Sequence, residues 1–120
     1  MSSARILCLD DEPVGLAIRA TVLRQAGHTV YMASTAEEAL QALAGQNFDL
    51  VISDHMLRGT TGTQVAAAMK QVRPGIPVLI LSGLTEAPED MELADFFLSK
   101  LEPPPVLLAN VADLLAQRGR

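Results

Sequence analysis

Five short apolar runs recur along the chain: Ile6-Leu7-Cys8-Leu9, Thr29-Val30-Tyr31-Met32, Leu50-Val51-Ile52-Ser53, Val78-Leu79-Ile80-Leu81 and Phe96-Phe97-Leu98. They are near-continuous, short, and rich in β-branched or aromatic residues. Runs of that kind read as strands buried on both faces. The segments between them carry apolar residues at helical spacing. Strand and helix therefore alternate, which implies a parallel sheet covered by helices on both faces. No repeat, low-complexity stretch or linker divides the chain, so residues 1–120 read as a single domain with no output domain.

The helical segments carry their own start and stop signals. Pro13 suits the first turn of a helix whose apolar positions are Val14, Ile18, Val22, Leu23 and Ala26, with Gly27 as the stop. Thr35 and Glu38 have the spacing of a capping box, followed by Ala36, Ala39, Leu40 and Leu43 and ended by Gly45. A third helix carries Val65, Ala68, Met69 and Val72 and stops before Pro74. The last starts among Pro103, Pro104 and Pro105 and carries Leu107, Leu108, Val111, Leu114 and Leu115. The connection from Ser82 to Asp95 holds at most about two turns of helix, so its helix should be short or irregular.

The ends of the runs gather the chemistry. Asp10, Asp11 and Glu12 follow the first, Asp54 the third, Ser82 and Gly83 the fourth, and Ser99 and Lys100 the fifth. In open sheets of this type, ligands bind beyond the carboxyl ends of the strands. Three clustered carboxylates repel one another unless a cation sits among them. An all-oxygen ligand set that keeps its waters suits Mg²⁺, or Mn²⁺. Lys100 supplies a second positive charge. A carboxylate can attack phosphorus, and a divalent ion, a lysine and a hydroxyl would then hold the phosphoryl oxygens. Taken alone, Asp10-Asp11-Glu12 is equally an acidic cap for the first helix.

Composition narrows the alternatives. The net charge of −5 disfavours direct binding to nucleic acid. No apolar run approaches a membrane span, and the N-terminus lacks a signal-peptide core. The single cysteine, Cys8, lies inside an apolar run and fits a buried thiol in a reducing cytoplasm. His28 and His55 have no zinc-type partners at metal spacing.

Leu9-Asp10-Asp11-Glu12, then Asp49 through Leu57, then Leu81-Ser82-Gly83, then Lys100, resembles the receiver domains of response regulators in two-component signalling. The resemblance runs the length of the chain. It implies a flavodoxin-like α/β fold: a doubly wound five-stranded parallel sheet of order 2-1-3-4-5, helices on both faces, here with a shortened fourth helix. It implies Asp54 as phosphoacceptor. Asp11, Asp54 and the backbone carbonyl of Met56 would hold the metal, with Asp10 acting through water. Ser82 and Lys100 would bind the phosphoryl group, and Ser82 and Phe97 would form the switch. Glu12, His55 and Arg58 would flank the site. The implied partners are a sensor histidine kinase or phosphotransfer protein and a downstream protein target. The protein would be a monomer or weak dimer, with no membrane or nucleic acid involved. Its chemistry would be limited to self-phosphorylation and autodephosphorylation, so it is not expected to be an enzyme.

The sequence departs from that family in four places. Leu101 stands where the family has a proline joined to the lysine by a cis bond. Here the bond is either trans, with a re-routed loop, or cis, at a cost of roughly 2.5–4 kcal/mol. Arg58 replaces another family proline, and either reaches back over the site or points to solvent. Ser82 and Lys100 lie 100 − 82 = 18 residues apart, a few short of the family spacing. Phe97 carries no hydroxyl, so a switch there would be a change of packing. The departures leave open a pseudo-receiver, an interaction module that is not phosphorylated. A phosphatase with an Asp nucleophile is disfavoured, because Met56 stands where a second acid would be needed two residues after Asp54.

Overall fold

Local patterning explains the elements seen in the computed structural model, which describes residues 3–83 and 86–118. In chain order these are β1 (Arg5–Leu9), α1 (Pro13–Gln25), β2 (Thr29–Ala33), α2 (Ala36–Gly45), β3 (Leu50–Asp54), β4 (Met56–Leu57), β5 (Thr60–Thr61), α3 (Gly62–Val72), β6 (Val78–Ser82), β7 (Phe96–Ser99) and α4 (Pro104–Arg118). Thr35 Oγ1 accepts from Glu38 N (3.1 Å), while the Glu38 carboxylate turns to Ser34 N (2.6 Å) instead of completing the reciprocal box. α3 is capped in the same way by Thr61.

β1, β2, β3, β6 and β7 form one parallel sheet in the order β2-β1-β3-β6-β7, the flavodoxin-like arrangement. Side chains alternate between its faces. Ile6, Cys8, Leu50, Ile52, Leu79 and Leu81 meet Leu16, Ala20 and Leu23 of α1 and Leu107, Val111 and Leu114 of α4. Leu7, Leu9, Val51, Val78 and Ile80 meet Ala39 and Leu43 of α2 and Val65, Ala66 and Met69 of α3. Cys8 is fully buried, and burial pushes its thiol up to about 12.

Two features differ from the sequence expectation. The first is the phase of α1. Val14 and Ile18, expected in the core, are exposed, and Leu16, Ala20 and Leu23 face the sheet. α1 carries two apolar stripes, and residues two apart lie about 200° apart around a helix, so only one stripe can be buried. The second is the hairpin of β4 and β5, which turns through Arg58 and a left-handed Gly59 (φ +76°). The β6–β7 connection is short and irregular, as the sequence leads one to expect. Residues 84 and 85 of it lie outside the described residues, and its helical content is one 3₁₀ turn, Met91–Leu93. Polar contacts tie that segment to α3. Thr63 Oγ1 donates to Asp90 (2.8 Å), and Lys70 Nζ pairs with Asp95 (2.7 Å). Among the described residues no helix is long and apolar enough to cross a membrane.

Candidate functional site

The carboxyl ends of β1, β3, β6 and β7 converge at the centre of the sheet, where the strand order reverses between β1 and β3. There Asp10, Asp11 and Asp54 each offer an oxygen within 4.8 Å of the others. Asp10 and Asp54 are buried, and Asp11 is half-buried. Such a hard, acidic oxygen set fits a divalent cation of the Mg²⁺ type. Asp11 and Asp54 are placed to hold it. Asp10 is engaged elsewhere: its Oδ1 accepts from Glu12 N (3.0 Å), and its Oδ2 faces Arg19 Nη1 (3.1 Å) and Lys100 Nζ (3.6 Å). It therefore suits contact through water better than direct ligation. Met56 follows Asp54 by two residues, at the start of β4, with its side chain exposed.

Lys100 reaches the cluster from the end of β7. Its Nζ lies 2.7 Å from Asp54 Oδ1, with about a third of the side chain exposed (32%). The bond to Leu101 is trans, which answers the question left by the missing proline. The loop is re-routed instead. Lys100 N donates to Ser82 O (2.7 Å) and Leu101 N to Ser99 Oγ (3.1 Å), so the lysine is aimed without a cis bond. Burial pushes the Asp54 carboxyl above its usual range, a shift that Lys100 opposes and Asp10 reinforces.

Ser82 is buried at the end of β6, in register with Ser99 of β7. Phe97 is half-buried against the core on the α2–α3 face. Ser82 and Phe97 thus lie on adjacent strands, which is the placement a linked movement needs.

The flanking residues fare differently. Glu12 is the N-cap of α1, its carboxylate accepting from Gly15 N, so it caps the helix and does not join the acidic cluster. His55 is buried, with its N–H bonded to Leu81 O (2.8 Å) and its carbonyl to Gly62 N (2.7 Å). Its Nδ1 has no hydrogen-bond partner among the described residues. A buried imidazole does not guard the mouth of the site. Arg58 is exposed, lining with Asp11 and Ser34 a cavity of about 350 Å³.

Two contributors were not singled out from the sequence. Arg19 sits seven residues into α1, four beyond Gly15, on the helix face that looks at Asp10. Its signal was there: Glu12, Gly15 and Arg19 follow helical spacing from the acidic turn. Gly62 lets α3 start against the end of β3, because a Cβ there would collide with Asp54 O and lie 3.1 Å from His55 Cα.

A family model described as the response regulator receiver domain matches residues 6–112. The chain belongs to the response-regulator receiver family. Among curated proteins, this receiver domain is 31% identical over 118 residues to the transcriptional regulatory protein GlrR of Escherichia coli, covering 95% of this chain and 27% of that protein. It is 38% identical over 82 residues to the transcriptional regulatory protein TcrA of Mycobacterium tuberculosis, covering 68% of this chain and 32% of that protein. The receiver domain thus spans about a third or less of these two relatives. Among solved structures it resembles a CheY-like receiver domain protein of Methanospirillum hungatei (TM-score 0.89, 27% identity, 98% of each chain). It also resembles the response regulator TrrA of Thermotoga maritima, solved in complex with Mg²⁺ and BeF (TM-score 0.85, 28% identity, 92% of this chain and 97% of that one).

Proposed function

We propose that this receiver accepts a phosphoryl group on Asp54, in a reaction dependent on a divalent cation, and signals through a change at Ser82 and Phe97. The observation that carries the reading is the 2.7 Å pair of Lys100 Nζ and Asp54 Oδ1 beside two further carboxylates. The donor is a phosphohistidine of a sensor kinase or phosphotransfer protein. An Asp54 carboxylate oxygen attacks phosphorus, the P–N bond breaks, and the imidazole leaves with the bonding pair and takes a proton. Mg²⁺, held by Asp11, Asp54 and the Met56 carbonyl, would neutralise charge on the phosphoryl oxygens. Lys100 releases Asp54 and pairs with a phosphoryl oxygen, and Ser82 donates to another. Val14 and Ile18 on α1, with Leu101 beyond β7, are large exposed apolar groups near the site, and they support an approaching protein surface as the donor. Self-phosphorylation and autodephosphorylation are its only chemistry, and the cytoplasm is its place of action.

Incubation with acetyl phosphate, with and without Mg²⁺, followed by intact-mass measurement tests this. One phosphoryl group should be gained, only with Mg²⁺, and not in Asp54→Asn. No gain by folded protein with Mg²⁺ present would overturn the proposal in favour of an unphosphorylated interaction module.

A further inference from the structure

We infer that Arg19 is a built-in counter-ion that competes with the divalent cation for the acidic cluster. It thereby holds the resting site weakly loaded and the phosphorylated site charge-balanced. Arg19 is a positioning residue acting through Asp10. Its side chain is 90% buried (10% exposed), and Nη1 lies 3.1 Å from Oδ2 of Asp10, whose side chain is 1% exposed. Lys100 Nζ faces the same oxygen at 3.6 Å. Two cations therefore share one carboxylate oxygen at the edge of the cluster.

Charge counting gives the consequence. Asp10, Asp11 and Asp54 carry −3, and Lys100 and Arg19 return +2, leaving −1 in the resting site. A divalent cation takes it to +1, so the second half of its charge enters against the field. Phosphorylation of Asp54 removes its −1 and adds a phosphoryl group of about −2. The site with metal then sums to zero. Without Arg19 the corresponding values are −2, 0 and −1. Arg19 thus makes the metal bind weakly to the empty site and makes metal and phosphoryl group depend more strongly on one another. The metal half rests on geometry alone, and the phosphoryl half rests on the function proposed above.

The test is Mg²⁺ binding to the unphosphorylated chain by titration calorimetry at low ionic strength, where screening is least. Arg19→Met and Arg19→Gln should each bind Mg²⁺ about tenfold more tightly than wild type. Arg19→Lys, which keeps the charge, should stay within about threefold. The direction separates this role from a structural one, because loss of a mere brace would disorder Asp10 and weaken binding. Arg19→Gln keeps a donor for Asp10, and it carries the test if Arg19→Met does not fold. Equal or weaker Mg²⁺ binding by folded Arg19→Gln overturns the inference. A second arm adds beryllium fluoride at saturating Mg²⁺, and Arg19→Gln should bind it about tenfold more weakly than wild type. If wild type binds none, the phosphoryl reading falls while the competition for Mg²⁺ stands on the first arm.

Discussion

Replacing Asp54 by Asn should stabilise the metal-free protein. Asp10 and Asp11 offer oxygens within 4.8 Å of an Asp54 oxygen. At an effective dielectric constant near 20, each such repulsion is about 332/(20 × 4.8), roughly 3.5 kcal/mol, or about 7 for the two. Lys100 Nζ at 2.7 Å from Oδ1 returns about 6 kcal/mol on the same scale. That attraction is reduced further, because a third of the lysine side chain meets water. Repulsion and attraction thus nearly cancel, with Arg19 adding to the attraction, so burial makes the carboxylate a net cost of about 1 kcal/mol, which Asn removes while keeping an oxygen for Lys100. For a chain of this size 1 kcal/mol raises Tm by roughly 3–5 °C. The pH dependence follows from the raised Asp54 carboxyl. A carboxyl that is harder to ionise folded than unfolded makes the native state hold its proton longer, so wild type loses stability as pH rises above the ordinary carboxylate value of 3.8. The Asn variant has no such loss. Its advantage should be absent below that value, grow as pH rises through the folded carboxyl's range, and shrink when Mg²⁺ is added. Thermal melts of both proteins across pH 3–8, in chelator and then in Mg²⁺, measure it. A lower Tm for Asp54→Asn at pH 7 without metal, or a gain that ignores pH, would refute the reasoning.

Other sites give sharper or opposite expectations. Gly62→Ala should cost about 1–3 kcal/mol in a denaturant melt, because the new Cβ meets β3 backbone that cannot yield. Leu101→Pro, which restores the family's residue, should destabilise by about 1 kcal/mol instead of improving the site. It removes the N–H given to Ser99 Oγ, and denaturant midpoints read the loss. Cys8 should resist iodoacetamide at pH 8 in the native state and react at once when unfolded, since burial holds its thiol near 12.

The sheet was legible because its strands are aliphatic and buried on both faces, so runs such as Val78–Leu81 announce themselves without any neighbour. The acidic cluster was legible for a related reason: Asp10, Asp11, Asp54 and Lys100 each follow such a run directly. Where two patterns compete, the sequence underdetermines the answer. Val14 and Ile18 are as periodic as Leu16 and Ala20, and it is Leu16, Ala20 and Leu23 that the core takes up. Arg19 was hard to place for the same reason: its spacing from Glu12 and Gly15 was on view, but the side that faces Asp10 is known only once that phase is known. The hairpin at Arg58 and Gly59 was missed because a two-residue strand has no periodicity to detect, leaving the glycine as its one mark. The route of the loop after Lys100 includes a bond to a hydroxyl, Ser99 Oγ, whose aim is a property of the folded loop.

The connection before β7 has a consequence in time as well as in space. Residues 86–95 bury no side chain fully: Met91 and Ala94 pack half-buried on the core, and polar contacts with Thr63, Lys70 and Val78 hold the rest. Segments so thinly anchored open at a small fraction of the free energy needed to unfold a core. Immediately downstream, β7 delivers both Phe97 and Lys100. The strand that carries the site's lysine thus enters the sheet from a segment with no fully buried side chain. The frequency of that opening would set how often the lysine leaves its place, on a clock separate from the stability of the whole domain.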